Sequence, residues 1–193
     1  MIELSLNEVE TLSAKAARGA GFSWGLAEDV GRAARRIAAA GEDWSSAMLS
    51  LAENAQSFDA PDPARATRWR TGEADKPAGK PLCPIRTAAL LLDDPPPADA
   101  LPLTILDVGL PVWFCAMLLR SDMRIARPAT LSMSQADVVV ERRDGIERPV
   151  TGRRGSIDQR TFAALNAFAA RTYVPESENS RVRGAGGGRV DDE

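Results

Sequence analysis

Apolar positions recur with helical spacing over the first fifty residues of the chain. Ser5 and Glu8 form a Ser-x-x-Glu capping box, which predicts a helix from about Leu6 to Arg18. Its apolar residues lie three or four positions apart, as they do on a helix with one buried face. A second stripe of this kind between Ser23 and Gly41 predicts an antiparallel partner helix, and Asp43 is placed to cap a third.

Further along the chain, apolar runs are shorter and lack helical spacing. These runs cover residues 82–92, 104–108 and 112–119, and residues 129–133 alternate between apolar and polar. Residues 138–142 face Ile146 across an Arg-Asp-Gly sequence, which is a hairpin signal. The section therefore predicts a small, mostly antiparallel sheet. A final helix is predicted directly after Gly155-Ser156, with apolar spacing from Ile157 to Phe168.

These elements predict an α+β fold, in which two or three N-terminal helices and one C-terminal helix pack on a small antiparallel sheet. We expect a single domain over residues 1–174, which includes a long loop or flap at 58–81, and a flexible Gly-rich tail at 175–193. The window 101–119 is the most apolar, but its prolines, glycine and aspartate argue against a membrane-spanning helix.

Charge and composition exclude several classes of function. The net charge of −3 gives no overall positive field, so we expect neither nucleic acid nor membrane as a partner. The polar N-terminus does not resemble a secretory signal, which favours a soluble, cytoplasmic protein. The two cysteines lack metal-binding spacing, and no motif indicates a metal or another cofactor.

The chain contains no histidine, which removes Ser-His-Asp and Cys-His catalysis and histidine-ligated metals. The candidate catalytic residues are then Lys15, which shares a turn of the predicted first helix with Arg18, and Cys83, which precedes Pro84 and faces a basic loop that could lower the pKa of its thiol. A solvated helix face with ordinary ion pairs is the alternative for Lys15. An unreactive, half-buried thiol is the alternative for Cys83.

The best candidate anion site is the sequence Gly-Arg-Arg-Gly-Ser at residues 152–156. Arg153, Arg154 and Ser156 precede the predicted final helix, so two guanidinium groups and free helical N–H groups would converge on one anion. A basic turn whose arginines pair with surface carboxylates is the alternative.

Two further segments supply secondary candidates for ligand contacts. The loop sequence around Trp69 interleaves an aromatic ring with arginines, and the C-terminal segment carries the single tyrosine and a Gly-rich stretch. The residues concerned are Arg65, Arg68, Trp69, Arg70, Tyr173 and Arg181. Ordinary packing of the two aromatic rings and a solubilising tail are the alternatives.

Three segments together resemble an uncharacterised bacterial family known only as a domain of unknown function. They are the helical sequence at 4–38, the Cys83-Pro84-Ile85 tripeptide, and the sequence TYVPESENSRVRGAG at 172–186. The chain departs from the family's tail, which alternates Gly and Ala, by ending in GAGGGRVDDE. A weaker similarity links the N-terminal helices to type-2 malate/lactate dehydrogenases, whose catalytic histidine has no counterpart here. The resemblance implies no substrate, cofactor or catalytic residue.

The leading hypothesis is a binding or accessory protein for a small anionic metabolite, able to form homo-oligomers. The alternative is a histidine-free enzyme of small carboxylate metabolism that uses Lys15, Cys83 or a carboxylate, with Arg153 and Arg154 holding the substrate. A structural subunit of a larger complex is the third hypothesis. A pocket that joins a lysine, cysteine or carboxylate to the arginines would favour the enzyme.

Overall fold

The computed structural model describes residues 1–61, 80–119, 121–126, 134–143, 152 and 154–173. Within these residues the chain forms α-helices and short antiparallel strands, so the predicted α+β class is confirmed. The helices are α1 (Leu6–Gly19), α2 (Trp24–Ala39), α3 (Trp44–Glu53), α4 (Pro84–Asp93), α5 (Pro111–Leu118) and α6 (Gln159–Ala170). A short 3-10 helix spans Ala98–Ala100.

The strands of the described residues form two separate antiparallel sheets. They are β1 (Ile2–Ser5), β2 (Leu103–Gly109), β3 (Met123–Ile125), β4 (Gln135–Arg142) and β5 (Arg154–Ile157). One sheet pairs β1 with β5, and the other has the order β2-β4-β3. The antiparallel character predicted for the middle section is therefore confirmed.

The N-terminal helices begin where the sequence predicts. The Ser5 hydroxyl accepts a hydrogen bond from the Glu8 N–H, and the Glu8 carboxylate accepts one from the Ser5 N–H, which completes the capping box. Asp43 caps α3 by accepting from the Ser46 N–H. Val9 on α1 and Val30 on α2 are fully buried, because the two helices pack with their apolar faces together.

Two segments assigned to the predicted sheet are helical instead. Helices α4 and α5 each begin with a proline, Pro84 and Pro111. At the first position of a helix the backbone N–H has no partner within the helix, so a proline there loses no hydrogen bond. The prediction was wrong because short, uniformly apolar runs do not distinguish a buried helix from a buried strand.

Arg36 on α2 donates from Nη1 to the Ala116 carbonyl at 2.7 Å, which satisfies an acceptor near the end of α5.

The predicted start of the final helix was also wrong. Residues 154–157 form β5, whose Gly155 lies opposite Leu4 of β1, and α6 begins only at Gln159. Glycine is required at 155 because a Cβ there would lie 2.6 Å from Trp44 Nε1. The cap of α6 is Asp158, whose Oδ1 accepts from the backbone N–H groups of Arg160 and Thr161.

The predicted loop at 58–81 has its two ends held side by side. The Asp59 N–H donates to the Pro81 carbonyl at 2.9 Å, and the Cys83 N–H donates back to the Asp59 carbonyl at 2.9 Å. Several predicted segments lie outside the described residues: residues 62–79 of this loop, the strand at 129–133, residues 144–146 of the hairpin, and the tail from 174 onward. The division into one domain and a tail stays a prediction.

The apolar window at 101–119 is divided between β2 and α5. Among the described residues, no helix combines the length and the apolar character needed to cross a bilayer.

Candidate functional site

A groove of about 420 Å³ lies between α1 and α6, next to the end of β1. Its volume falls within the range typical of small-molecule sites. The residues that line it are Leu4, Ser5, Asn7, Glu8, Thr11, Leu12, Lys15, Phe162, Asn166, Ala169 and Tyr173. Two of them, Lys15 and Tyr173, are candidates from the sequence, and the structure brings them to the same groove.

One wall of the groove is a single stripe of α1. Asn7, Thr11 and Lys15 lie four residues apart, which places them on one face of the helix. The capping box fixes the start of this helix and therefore the direction of the stripe. The opposite wall is a stripe of α6, in which Phe162 and Asn166 are also four residues apart.

Lys15 brings a positive charge to the groove. Its side chain is exposed, and among the described residues it forms no ion pair. Nearby polar groups add hydrogen-bond donors. The Asn7 Oδ1 accepts from Arg35 Nη1 at 3.4 Å, and the Asn7 amide NH₂ donates no hydrogen bond among the described residues.

Glu8 brings a negative charge to the same groove. Its Oε2 accepts a hydrogen bond of 2.7 Å from the Ser5 N–H. This hydrogen bond from the Ser5 backbone, together with a second one from the Ser5 side chain, holds the pKa of the Glu8 carboxyl below its ordinary value. Burial acts in the opposite direction, and the positive charge of Arg154 contributes a further small lowering. Glu8 is therefore a carboxylate at neutral pH.

Arg154 and Ser156 lie on β5 and are both exposed. Arg154 is the register partner of Ser5, so it sits beside the Glu8 end of the groove without lining it. The helical N–H groups expected to assist these residues belong to α6, which starts after them and is capped by Asp158. The helix-terminus part of the predicted anion site was therefore wrong. Arg153 lies outside the described residues, and anion binding by this segment stays a prediction.

Cys83 does not join the groove. Its side chain is buried just before α4, and burial raises the pKa of the thiol above its ordinary value, although backbone hydrogen bonds from Arg86 and Ile85 oppose the shift. A raised pKa favours the protonated thiol, which fits the unreactive alternative for Cys83 better than a nucleophile. Cys115 is also a thiol rather than part of a disulfide.

The other candidates from the sequence are not tested by the structure. Arg65, Arg68, Trp69, Arg70 and Arg181 lie outside the described residues. Among the residues that are described, no three Asp, Glu or Cys side chains lie close enough together to hold a metal ion.

Sequence reasoning missed Asn7, Thr11 and Asn166. Asn7 and Thr11 precede Lys15 at four-residue intervals, and this spacing would have identified a polar stripe on α1. No signal in the sequence shows that α6 faces that stripe, because residues 15 and 166 are brought together only by the tertiary fold.

Comparison with known proteins gives one match. No curated protein and no solved structure matches the chain. The resembling segments at residues 83–85 and 172–186 lie outside the part that matches a family model. The resemblance to an uncharacterised family is confirmed for the segment at 4–38: residues 4–56, from the end of β1 to just beyond α3, match the model of a family described as "Protein of unknown function (DUF3726)".

Proposed function

We propose that this protein is a binding or accessory protein for a small anionic metabolite, and that the groove between α1 and α6 is its binding site. The observation that carries the proposal is that Lys15, a cation with no ion pair among the described residues, lines a groove of ligand size. A carboxylate of the ligand would supply the missing negative partner.

Polar groups around Lys15 support a carboxylate rather than a neutral ligand. The Thr11 hydroxyl lies one helical turn before Lys15, and Asn7 lies one turn before Thr11. Hydrogen bonds to an ionised group are stronger than those between neutral groups, so even two such donors would add appreciably to the attraction of the ammonium.

Apolar side chains form the rest of the surface and indicate a ligand with an apolar body. Leu12 on α1 and Phe162 on α6 are half-buried, and Ala169, which also lines the groove, is buried. Burying an apolar ligand surface against these side chains would contribute about 25 cal/mol for each Å² removed from water. The ligand class is therefore an organic carboxylate rather than a bare inorganic anion.

The arrangement favours binding over acid–base catalysis. The carboxylate in the groove, Glu8, is held in its ionised form by Ser5 and is not suited to donate a proton at neutral pH. The thiol of Cys83 does not line the groove and is buried. A histidine-free enzyme is therefore less well supported than a binding protein.

The test is a thermal-shift screen of the whole chain against organic acids, followed by calorimetry. A ligand that binds only the native state raises the melting temperature. Lys15→Met removes the charge and keeps an apolar stem, so we expect about a three- to tenfold loss of affinity for the carboxylate found, as the loss of one charge-assisted contact on an exposed surface.

The matched control is Lys80→Met. Lys80 is also an exposed lysine, but it does not line the groove. Its replacement changes the net charge by the same amount and should leave the affinity unaltered. Equal losses in the two variants would mean that Lys15 acts only through the overall charge, and the proposal would then be wrong.

A further inference from the structure

Two opposite charges mark different points along the groove. Glu8 and Lys15 both line it from α1 and are seven residues apart in the sequence. Because an α-helix rises about 1.5 Å per residue, their positions are separated by about 10 Å along the helix axis. A ligand anchored at Lys15 and extended along the groove therefore meets a negative charge at its other end.

The lining between these charges is neutral. Thr11 and Leu12 lie between Glu8 and Lys15 on α1, and Phe162 faces them from α6. Because the lining between them is neutral, Glu8 and Lys15 are the groups that distinguish one end of a bound ligand from the other. Glu8 also cannot turn away freely, because its Oε2 is held by the Ser5 N–H at 2.7 Å.

Arg154 offsets the charge of Glu8 only in part. It lies opposite Ser5 in the β1–β5 sheet, where its positive charge helps to lower the pKa of Glu8, and it does not line the groove. The surface presented to a ligand at this end is therefore the carboxylate itself.

We propose that Glu8 determines the charge specificity of the groove: the ligand is an elongated carboxylate whose far end is uncharged or cationic. A dicarboxylate long enough to reach from Lys15 to Glu8 binds more weakly than a monocarboxylate of the same length. This inference rests on the proposed function, because it takes Lys15 as the anchor of the first carboxylate.

Three ligands of the same chain length test the inference: decanoate, sebacate and ω-aminodecanoate. They share an extended hydrocarbon chain and differ at the far end, which is a methyl group, a second carboxylate or an ammonium. Calorimetry with the whole chain should show that sebacate binds at least about threefold more weakly than decanoate, as expected for one repulsive pair of partly exposed charges. We expect ω-aminodecanoate to bind at least as tightly as decanoate.

The Glu8→Gln variant separates charge from structure. Glutamine can serve as the third residue of a capping box, so the hydrogen bond to Ser5 and the start of α1 are retained while the charge is lost. In this variant the affinities for sebacate and decanoate should converge, and circular dichroism should show unchanged helix content. Succinate is the length control, because it is too short to reach Glu8 from Lys15, and its affinity should not respond to the substitution.

The outcomes distinguish this inference from the proposed function. Equal binding of decanoate and sebacate by the unsubstituted chain, or a preference that persists in Glu8→Gln, would overturn the role of Glu8 and leave carboxylate binding in place. Failure of every carboxylate to bind, or binding that Lys15→Met does not weaken, would overturn the proposed function and this inference with it.

Discussion

Gly19 on α1 packs directly against the backbone of Phe168 on α6. A Cβ placed on residue 19 would overlap the Phe168 carbonyl oxygen, so the two helices meet at this point without an intervening side chain. The same two helices form the walls of the groove. The spacing of the walls is therefore set by a glycine that lies outside the lining.

Gly19→Ala tests this close contact. The added methyl group must push α1 and α6 apart, and we expect the free energy of unfolding to fall by about 1–3 kcal/mol, as in other overpacked contacts. Urea denaturation followed by circular dichroism gives the value. Gly25→Ala is the matched control, because a Cβ at this exposed position of α2 has no neighbour within 4 Å. Equal midpoints for the two variants would show that the helices do not meet at Gly19.

Val30→Asp tests the packing of α1 against α2. Val30 is completely buried, so the substitution places a carboxylate among apolar side chains without a partner. We expect a loss of at least about 2 kcal/mol in the free energy of unfolding. Glu28→Asp places the same side chain on the exposed face of α2 and should change the stability by less than about 0.5 kcal/mol. An unchanged urea midpoint for Val30→Asp would contradict the burial of this face.

The N-terminal helices were predictable because their signals are local. The Ser5–Glu8 capping box and the Asp43 cap are each contained within four residues, and the structure shows both. Glycine marks the turns at Gly21 and Gly41, whose φ angles of 105° and 79° suit few other residues.

The remaining errors have a different physical origin. Residues of α5 are apolar on all sides, so no periodicity separates a buried helix from a strand. Strand β5 was missed because it is defined by pairing with β1, more than a hundred and forty residues away in the sequence. The groove was unpredictable for the same reason, since seven of its lining residues come from the N-terminal end of the described chain and four from its C-terminal end.

Acid should destabilise the fold in a range set by carboxylates. Hydrogen bonds from the side chain and the backbone of Thr161 hold the pKa of the Asp158 carboxyl below its ordinary value, and the backbone N–H of Arg160 adds a smaller effect in the same direction. A carboxyl with a lowered pKa in the folded state adds stability above its unfolded pKa of about 3.9, and that stability is lost as the pH falls through the folded pKa. The pKa of Glu8 is also lowered, so it contributes with the same sign.

The melting temperature of the chain should therefore fall steeply below about pH 4. It should show no separate transition near pH 6.5, because there is no histidine to titrate. Asp158→Asn keeps a capping oxygen and removes the titrating group, so its melting temperature should depend less on pH in the acid range. A transition near pH 6.5 in an untagged chain would point instead to a carboxyl with a strongly raised pKa, and would favour the enzyme hypothesis.

The position of the carboxylate can be decided between Lys15 and the arginines at 153 and 154. The sequence alone predicts that replacing both arginines with alanine weakens anion binding about tenfold or more, since each charged contact contributes about 1.5–3 kcal/mol. The structure favours Lys15, because Arg154 lies on β5 beside the groove and the N-terminus of α6 is occupied by Asp158.

We therefore expect the Arg153→Ala/Arg154→Ala variant to bind decanoate within about twofold of the unsubstituted chain, because Arg154 is exposed and does not line the groove, and an exposed charge outside the contact is screened by salt. Sebacate should bind more weakly to this variant, since the loss of Arg154 leaves the negative charge of Glu8 less compensated. Calorimetry with both ligands, after circular dichroism confirms an intact fold, measures the two effects. A tenfold loss of affinity for both ligands would show that the arginines, and not Lys15, bind the carboxylate. A guanidinium in contact with the ligand attracts every carboxylate, whereas a charge beside Glu8 affects only a ligand that reaches Glu8.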